Sequence, residues 1–147
     1  MRVPARRPPA EVLEALVRAY EQLSPLRMPA LLACYAPDAC FKDPFNEVQG
    51  HAAIERIFRH MFKQVAQPRF KVHTRLLQGE QAMLGWYFSF RSGGRELVVR
   101  GVSHLHFDAQ GRVCSHRDYW DTAEELYASF ALIGPVMRWL ARRLSAG

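Results

Sequence analysis

The spacing of apolar residues changes once along this chain, near residue 69, and that change restricts the fold more than any other feature. From residue 69 to residue 121 apolar and polar residues alternate, which is typical of β-strands with one buried face. In the longest run, Leu84, Trp86, Phe88 and Phe90 share that face. Short turns at 92–94 and 108–111 make successive strands antiparallel neighbours. We therefore predict strands over Phe70–Gln78, Ala82–Arg91, Glu96–Phe107 and Arg112–Asp121.

Before this change the apolar residues have the spacing of amphipathic helices. The pattern predicts helices over Glu11–Leu23, over Met28–Tyr35 and from Gly50 to about Val65, with a short strand over Ala39–Asp43. After the sheet, the spacing predicts a C-terminal helix that begins at about residue 123 and extends over Glu124–Leu144. Helices followed by an antiparallel sheet indicate an α+β fold with the helices on one face of the sheet.

Length and composition restrict the function as well. A chain of 147 residues suits a single domain, which we place at 10–147 behind a flexible, basic lead-in at 1–9. No apolar run is long enough to span a bilayer, and the lead-in has no apolar segment behind its charges, so we expect a cytoplasmic protein. The basic residues are scattered apart from two clusters, at 2–7 and 138–143, and accompany no nucleic-acid motif, so we expect no nucleic-acid partner.

The three cysteines are odd in number and lack the spacing of a zinc site. We expect neither a disulfide nor a bound metal, and we interpret Cys34, Cys40 and Cys114 as buried thiols. His104, His106 and His116 do not change this interpretation, because strand alternation separates them and no carboxylate is suitably spaced.

Asp43 is the first candidate for chemistry. It lies between Phe41 and Phe45 and directly before Pro44, which favours extended backbone at Asp43 and hence a strand end. A carboxylate between aromatic residues is a candidate for proton transfer. The alternative is a structural role, in which the Asp43 side chain caps a local turn by accepting hydrogen bonds from backbone N–H groups.

The order of the elements and two motifs carry a family resemblance. The motifs are residues 41–45 (Phe-Lys-Asp-Pro-Phe), and residues 107–113 (Phe-Asp-Ala-Gln-Gly-Arg-Val) followed by 118–121 (Asp-Tyr-Trp-Asp). Over 12–121 the chain resembles the nuclear transport factor 2-like superfamily, and within it the SnoaL-like and ketosteroid-isomerase-like branch. The resemblance implies a cone-shaped, curved antiparallel sheet whose concave face is covered by helices and encloses an apolar pocket. Members include isomerases, polyketide cyclases, epoxide hydrolases and inert binding domains.

The resemblance also implies roles for single residues. Asp43 matches the general base of the isomerases, and Tyr20 lies near their oxyanion-hole tyrosine. Ser103 stands where they carry a protonated aspartate, a departure that weighs against steroid-type isomerisation because serine is a weaker donor. In the cyclases a histidine and an aspartate correspond to His104 and Asp118.

Strand alternation gives a different histidine. If Phe107 pairs with Arg112, then Ser103 faces His116 and Gly101 faces Asp118 on one side of the sheet, while His104 points to the other. The alternation therefore favours His116, Asp118 and Trp120 as the group that faces the pocket, and a bulge would be needed to include His104.

We expect the protein to bind an apolar small molecule and to catalyse isomerisation, cyclisation or hydrolysis by acid–base chemistry without a cofactor. The expected catalytic residues are Asp43, Asp118, His116, Tyr20 and His104, and the expected substrate-binding residues are Ser103, Trp120, Trp86, Phe88 and Phe41. The alternative is a non-enzymatic binding or assembly domain, in which Asp118 forms an ion pair with Arg100 or Arg117.

We also expect a homodimer that forms through the outer face of the sheet. We interpret the apolar stripe of the C-terminal helix as a lid over the sheet, with contact to a membrane surface as the less favoured alternative.

Overall fold

A single six-stranded sheet is the largest element of the described structure. The computed structural model describes residues 9–125 together with residues 135, 139, 142 and 143. The helices are α1 (Pro9–Glu21), a 3-10 turn (Pro25–Arg27), α2 (Met28–Leu32), α3 (His51–Gln64) and α4 (Thr122–Glu125). The strands are β1 (Tyr35–Lys42), β2 (Glu47–Gln49), β3 (Ala66–Gln78), β4 (Gln81–Ser92), β5 (Arg95–Phe107) and β6 (Val113–Tyr119).

The strand order is β2-β1-β6-β5-β4-β3. The consecutive strands β3 to β6 pair antiparallel, as the short turns predict, and β1 pairs antiparallel with β2 but parallel with β6. The helices α1 and α3 pack on β3 and β1, so one face of the curved sheet is covered. The predicted α+β class with a curved sheet is thus confirmed.

The covered face holds the core, because the helical and strand patterns both direct apolar side chains to it. From α1 it receives Leu16 and Val17, at 0% and 1% exposure, and from the strands Leu84 and Leu105, at 1% and 0%. We call the opposite side of the sheet the outer face.

The second helix and the first strand differ from the prediction. The helix ends at Leu32 and β1 begins at Tyr35. Residues 35–38 are therefore part of a strand, whereas the prediction ended the helix at Tyr35 and began the strand at Ala39. Tyr35 pairs with Val113, and Val113 N donates a hydrogen bond to Cys34 O at 2.9 Å. Pairing with a strand almost eighty positions away overrides the short helical pattern, because a five-residue helix gains little stability by itself.

The pairing of β5 with β6 differs by a bulge. Phe107 pairs with Val113, not with Arg112, and the register shifts before His106 pairs with Ser115. Ser103 therefore lies opposite Asp118, whereas the sequence predicted Gly101 there. A shift of two positions in total preserves the alternation, so the side chains keep their predicted faces.

Most of the predicted C-terminal helix lies outside the described residues. The residues of its predicted apolar stripe all lie outside the described part, and so does Arg138. The stripe consists of Leu126, Tyr127, Phe130, Ile133, Val136, Met137, Leu140 and Leu144. The lid and the membrane-surface contact therefore both stay predictions. In the described part of the chain no helix is long and apolar enough to cross a membrane, and the cytoplasmic location also stays a prediction.

The cysteines are less buried than the sequence analysis supposed. Cys40 is exposed, and Cys34 and Cys114 are half-buried. All three belong to the described residues, and no disulfide joins them. The expectation of buried thiols was wrong because Cys40 faces outward, between the inward residues Ala39 and Phe41.

Candidate active site

The centre of the candidate site is the carboxylate of Asp118. Ser103 Oγ donates a hydrogen bond to Asp118 Oδ1 at 2.5 Å, and His116 Nε2 lies 2.6 Å from the same oxygen. Ser103 and His116 are almost fully buried, at 3% and 2% exposure, whereas 18% of the Asp118 side chain is exposed. Strand pairing causes this arrangement, since Ser103 lies directly across from Asp118 and His116 is two residues before it on the same face.

The geometry leaves one carboxylate oxygen available. Both buried partners bind Oδ1, and no described residue donates a hydrogen bond to Oδ2. Among the described residues no lysine or arginine forms an ion pair with Asp118. Arg100 instead approaches Glu124 at 3.8 Å, and the Arg117 guanidinium lies over the Tyr119 ring at 4.7 Å. The ion pair that we considered as a structural role for Asp118 is therefore not formed with either arginine.

Trp86 determines the direction of the Ser103 hydroxyl. Trp86 Nε1 donates to Ser103 Oγ at 2.8 Å, so the single Ser103 proton goes to Asp118. Ser103 consequently has no proton left to donate to a substrate oxygen, and the oxyanion role considered for this position does not fit. Gly101 lies opposite Trp86 and makes room for its ring, since a Cβ on Gly101 would lie 2.3 Å from Trp86 Cη2.

Two buried tyrosines hold the other side of His116. Tyr20 Oη and Tyr35 Oη lie 2.8 and 2.7 Å from His116 Nδ1, and the two hydroxyls also contact each other. An ionised carboxylate only accepts hydrogen bonds, so His116 Nε2 carries the proton that it donates to Asp118. His116 Nδ1 in the neutral ring then accepts a hydrogen bond from a phenol.

The phenols stay protonated in this environment. Burial raises the pKa of Tyr20 well above its ordinary value of 10.0, and the nearby Tyr35 and Asp118 raise it further. Burial also raises the pKa of Tyr35 well above 10.0, although its hydrogen bond with Tyr20 acts in the opposite direction. Each phenol therefore keeps its single proton at neutral pH, so one tyrosine donates to His116 Nδ1 and the other donates to the neighbouring tyrosine hydroxyl.

Aromatic contacts fix the plane of the imidazole. The Phe41 ring centroid lies 4.6 Å from that of His116, and Phe41 also packs on Phe58. Phe41 is 3% exposed, so it supports His116 from within the core and does not line a cavity as a substrate-binding residue.

Asp118 lies between two spaces of different size. A cleft of about 530 Å³ is lined by Lys42, Asp43, Pro44, Arg117, Asp118, Tyr119, Trp120 and Asp121. On the other side, an inner cavity of about 20 Å³ is lined by Tyr20, Phe58, Phe70, Val72, Leu84, Trp86, Ser103, His116 and Asp118. The cleft has the size of a small-molecule site, whereas the inner cavity has room for about one water molecule.

Asp43 lies in the cleft but is held by its own turn. β1 ends at Lys42, and Asp43 Oδ1 accepts hydrogen bonds from the backbone N–H groups of Phe45 and Asn46 at 2.8 and 2.7 Å. The Asn46 side chain adds contacts at 3.1 Å to both carboxylate oxygens. Phe45 is 54% exposed, so the aromatic surroundings expected for Asp43 are present on one side only. The Asp43 side chain therefore makes the local turn that we considered as its structural role, while it also faces the same cleft as Asp118.

His104 lies apart from the site. It pairs with Arg117 on the neighbouring strand, and His104 Nε2 lies 2.9 Å from Gln81 Oε1. Its ring contacts His106, which is on the same outer face. The role expected for His104 from the cyclase resemblance is corrected: alternation along β5 directs it away from Asp118, and the bulge, which begins beyond His106, does not change its face.

Phe88 and Trp120, two further predicted substrate-binding residues, lie in different places. Phe88 stacks on Phe70 with ring centroids 4.5 Å apart and lines neither space, so it has no place in the site as described. Trp120 lines the cleft and makes an edge contact with Phe45 at 5.6 Å.

Tyr35 was missed by sequence reasoning, which treated it as a core residue at the end of a helix. The available signal was its aromatic hydroxyl in an apolar pattern, because a buried phenol needs a hydrogen-bond partner. In the described part of the chain, no group of three or more histidine, cysteine, aspartate or glutamate residues is placed to hold a metal ion.

The fold and the site define a class of protein. Solved structures with this fold include a nuclear transport factor 2-like protein of unknown function from Burkholderia pseudomallei, with a TM-score of 0.70 and 22% identity, covering 79% of this chain and 92% of that one. A structure from Shewanella denitrificans described as a SnoaL-like polyketide cyclase has a TM-score of 0.66 and 18% identity, covering 82% and 98% of the two chains. The protein therefore has the nuclear transport factor 2-like fold.

The family follows from the sequence itself. The chain belongs to the SnoaL-like domain family, whose model matches residues 14–116. It is also similar to the steroid Delta-isomerase of Nocardioides simplex, with 34% identity over 117 residues, covering 76% of this chain and 90% of that protein. The family resemblance that the two motifs indicated is confirmed.

Proposed function

We propose that the protein is a cofactor-independent enzyme that moves a proton on an apolar small molecule, with Asp118 as the group that takes and returns the proton. One observation carries this proposal: Ser103 and His116 hold Oδ1 of Asp118, no described residue donates a hydrogen bond to Oδ2, and Asp118 lines both the cleft and the inner cavity. A carboxylate fixed by buried donors on one oxygen and open on the other is suited to a general base.

Among the three reactions considered we propose isomerisation, because it needs one base that takes and returns a proton, although Ser103 offers no donor to the substrate oxygen. The similar steroid Delta-isomerase bears the name of such a reaction. Asp118 Oδ2 takes a proton from a carbon beside a carbonyl group, and the electrons of the broken C–H bond form an enolate. The O–H bond on Asp118 then breaks as the proton returns to a different carbon, so the double bond has moved and the carboxylate is regenerated.

The other residues act around that carboxylate. His116 donates to Oδ1, and Tyr20 and Tyr35 hold His116 in place, so these three are positioning residues. Lys42 and Arg117 also line the cleft, but strand alternation directs their side chains to the face of the sheet opposite Asp118. Asp43 faces the substrate from the other part of the cleft, and its turn contacts make it a weaker candidate for the base.

The test is conversion of a β,γ-unsaturated fused-ring ketone to its conjugated isomer, followed by ultraviolet absorbance and, in deuterated water, by mass spectrometry. We expect Asp118→Asn to reduce kcat by about 10²–10⁴-fold, the usual contribution of a general base. Asp43→Asn is the matched control and should change kcat by less than about tenfold. Equal rates for the parent and Asp118→Asn would contradict the proposal.

The alternative is a binding module without catalysis. It predicts that the same ketones bind to the parent and to Asp118→Asn, measured by calorimetry, with no isomer formed and no deuterium incorporated by either protein. Binding without exchange would thus favour this alternative over the enzyme.

We also propose that two copies of the chain associate through the outer face of the sheet. Large apolar side chains are exposed there on adjacent strands: Leu76 at 62%, Met83 at 36%, Tyr87 at 43% and Val98 at 47%. Leu76 pairs with Met83 across β3 and β4, so these two side chains are adjacent, and Tyr87 and Val98 lie farther along the same face of β4 and β5. Exposed apolar patches of this kind are typical of protein–protein interfaces.

A further inference from the structure

Two histidines lie side by side on the outer face of the sheet, away from the candidate active site. His104 and His106 are separated by one residue of β5, so strand alternation places both side chains on that face. Their ring centroids lie 4.6 Å apart, and His106 is exposed whereas His104 is half-buried. Alternation separates them from His116, so the sequence indicated no metal site, yet it also brings these two imidazoles together.

The hydrogen bond of His104 leaves one of its ring nitrogens for a ligand. His104 Nε2 lies 2.9 Å from Gln81 Oε1, and an amide oxygen only accepts hydrogen bonds, so Nε2 carries the proton. Nδ1 of the neutral ring then keeps its lone pair, and no described residue donates a hydrogen bond to it. Histidines that bind metals typically donate their second N–H to an oxygen acceptor in this way. The ring nitrogens of His106 also form no hydrogen bond with the described residues.

The strand partners of the two histidines bring one positive charge near them. Arg117 is the partner of His104 on β6 and the only charged residue among these partners. Its guanidinium lies over the Tyr119 ring at 4.7 Å, and a cation–π contact of this kind draws the charge toward that ring. The remaining partners are uncharged, and they are Met83, Gln81 and Ser115.

One chain supplies two of the ligands that a zinc ion needs. Zinc in structural sites is four-coordinate, and it binds imidazole nitrogen at about 2.0–2.1 Å. In the described part of the chain, no third histidine, cysteine, aspartate or glutamate completes a site with this pair. The pair adjoins the apolar patch of the proposed dimer, because His104 is the strand partner of Met83. A two-fold axis close to the pair would bring four imidazoles together.

We propose that His104 and His106 form half of a zinc site, which two copies of the chain complete around one ion between their outer faces. The ion takes four imidazole nitrogens, with Nδ1 of each His104 among them, and fixes one sheet against the other. This inference rests on the proposed dimer for the position of the second copy, whereas the number of zinc ions bound per chain can be measured separately.

The experiment titrates the untagged chain with zinc chloride by calorimetry and measures its mass by light scattering in zinc and in EDTA. We expect the parent to bind one zinc ion per two chains, and zinc to lower the dissociation constant of the dimer by about tenfold or more. His106→Ala should weaken zinc binding by at least about a hundredfold and remove the effect of zinc on the dimer. His60→Ala is the matched control and should behave as the parent, because His60 is exposed on α3, on the other side of the sheet.

Gln81→Ala tests the tautomer of His104 without removing a zinc ligand. It deletes the oxygen that accepts the Nε2 proton, so it should weaken zinc binding by about 10–100-fold, the usual effect of losing such a partner. Zinc binding as tight as that of the parent would show that this hydrogen bond does not prepare Nδ1 for the ion.

The inference would be overturned by a parent that binds no zinc, by unchanged zinc affinity in His106→Ala, or by one ion per chain with no change in mass. A failure of the proposed dimer gives a different result. A parent that is dimeric in EDTA but binds no zinc loses only the zinc site. A parent that is monomeric in EDTA and dimeric with half an equivalent of zinc keeps the zinc site and loses only the apolar contact.

Discussion

Asp43 and Asp118 face the same cleft but differ in their hydrogen-bond partners. Asp118 receives its partners from Ser103 on a neighbouring strand and His116 on its own, and no described residue donates a hydrogen bond to its Oδ2. Asp43 receives its partners from Phe45 and Asn46, two and three residues further along the chain. A carboxylate that satisfies local backbone donors stabilises a turn, whereas one that is held by buried side chains can exchange a proton with a substrate.

Asp43→Ala should destabilise the fold more than Asp43→Asn. Alanine leaves the N–H groups of Phe45 and Asn46 without their acceptor, which costs about 1 kcal/mol, whereas asparagine keeps a carbonyl oxygen in the same place. Urea denaturation at neutral pH measures the free energy of unfolding of each variant. Equal stability of Asp43→Ala and the parent would show that the turn does not depend on this carboxylate.

The buried phenols predict a loss of stability at high pH. In the unfolded chain Tyr20 and Tyr35 ionise near pH 10.0, whereas burial keeps them protonated in the folded protein to a higher pH. Above pH 10.0 the unfolded state therefore binds fewer protons than the folded state, so the free energy of unfolding falls as pH rises. At neutral pH both states are protonated and the contribution is fully present.

Tyr35→Phe should make this fall less steep, by at most about 1.4 kcal/mol per pH unit, because one of the two buried phenols is removed. Urea denaturation between about pH 8 and pH 11 gives the slopes, and other groups that titrate in this range cancel in the comparison with the parent. Identical slopes for the parent and Tyr35→Phe would contradict the prediction.

At the scale of elements, the packing of the Trp86 ring of β4 against β5 requires that residue 101 have no side chain. A Cβ at this position would lie 2.3 and 2.4 Å from the Cη2 and Cζ2 atoms of Trp86, and the indole is held by its bond to Ser103. We expect Gly101→Ala to lower the free energy of unfolding by about 1–3 kcal/mol, the usual effect of overpacking. The measurement is urea denaturation of the single and double variants.

Trp86→Phe should reduce that effect, because phenylalanine lacks the outer indole atoms that the new Cβ would meet. The double variant should therefore show a coupling of about 1 kcal/mol. Gly85→Ala is a control on the neighbouring strand, where the new Cβ would meet Cε1 of the exposed His73 side chain at 2.7 Å, which can turn away, and Thr74 Cβ at 3.2 Å. A Gly101→Ala variant as stable as Gly85→Ala would contradict this account.

At the scale of the whole molecule, the outer face predicts a dimer. Size-exclusion chromatography with light scattering should give the mass of two chains for the parent and of one chain for Val98→Asp, because a carboxylate buried between two apolar faces is strongly unfavourable. Leu26→Asp changes an equally apolar side chain that is 94% exposed on the 3-10 turn, and should leave the dimer intact. A monomeric parent at micromolar concentration would rule out the interface.

Local periodicity by itself determined the α+β class, the four long strands and the faces on which Ser103, His116 and Asp118 point. These features depend on the alternation of neighbouring residues, which is written directly in the chain. Local sequence patterns also indicated Tyr20 and Asp43 as candidate site residues, but they did not indicate the hydrogen-bond partners of either residue.

Only the tertiary structure decided which residues meet. The bulge between β5 and β6 placed Ser103 opposite Asp118, and the parallel pairing of β1 with β6 brought Tyr35 to His116. Strand register and the pairing of distant segments depend on hydrogen bonds and packing between parts of the chain far apart in sequence, and a local pattern contains no information about them. The family resemblance implied an enclosed apolar pocket, and the inner cavity beside Asp118 in the folded chain has a volume of only about 20 Å³.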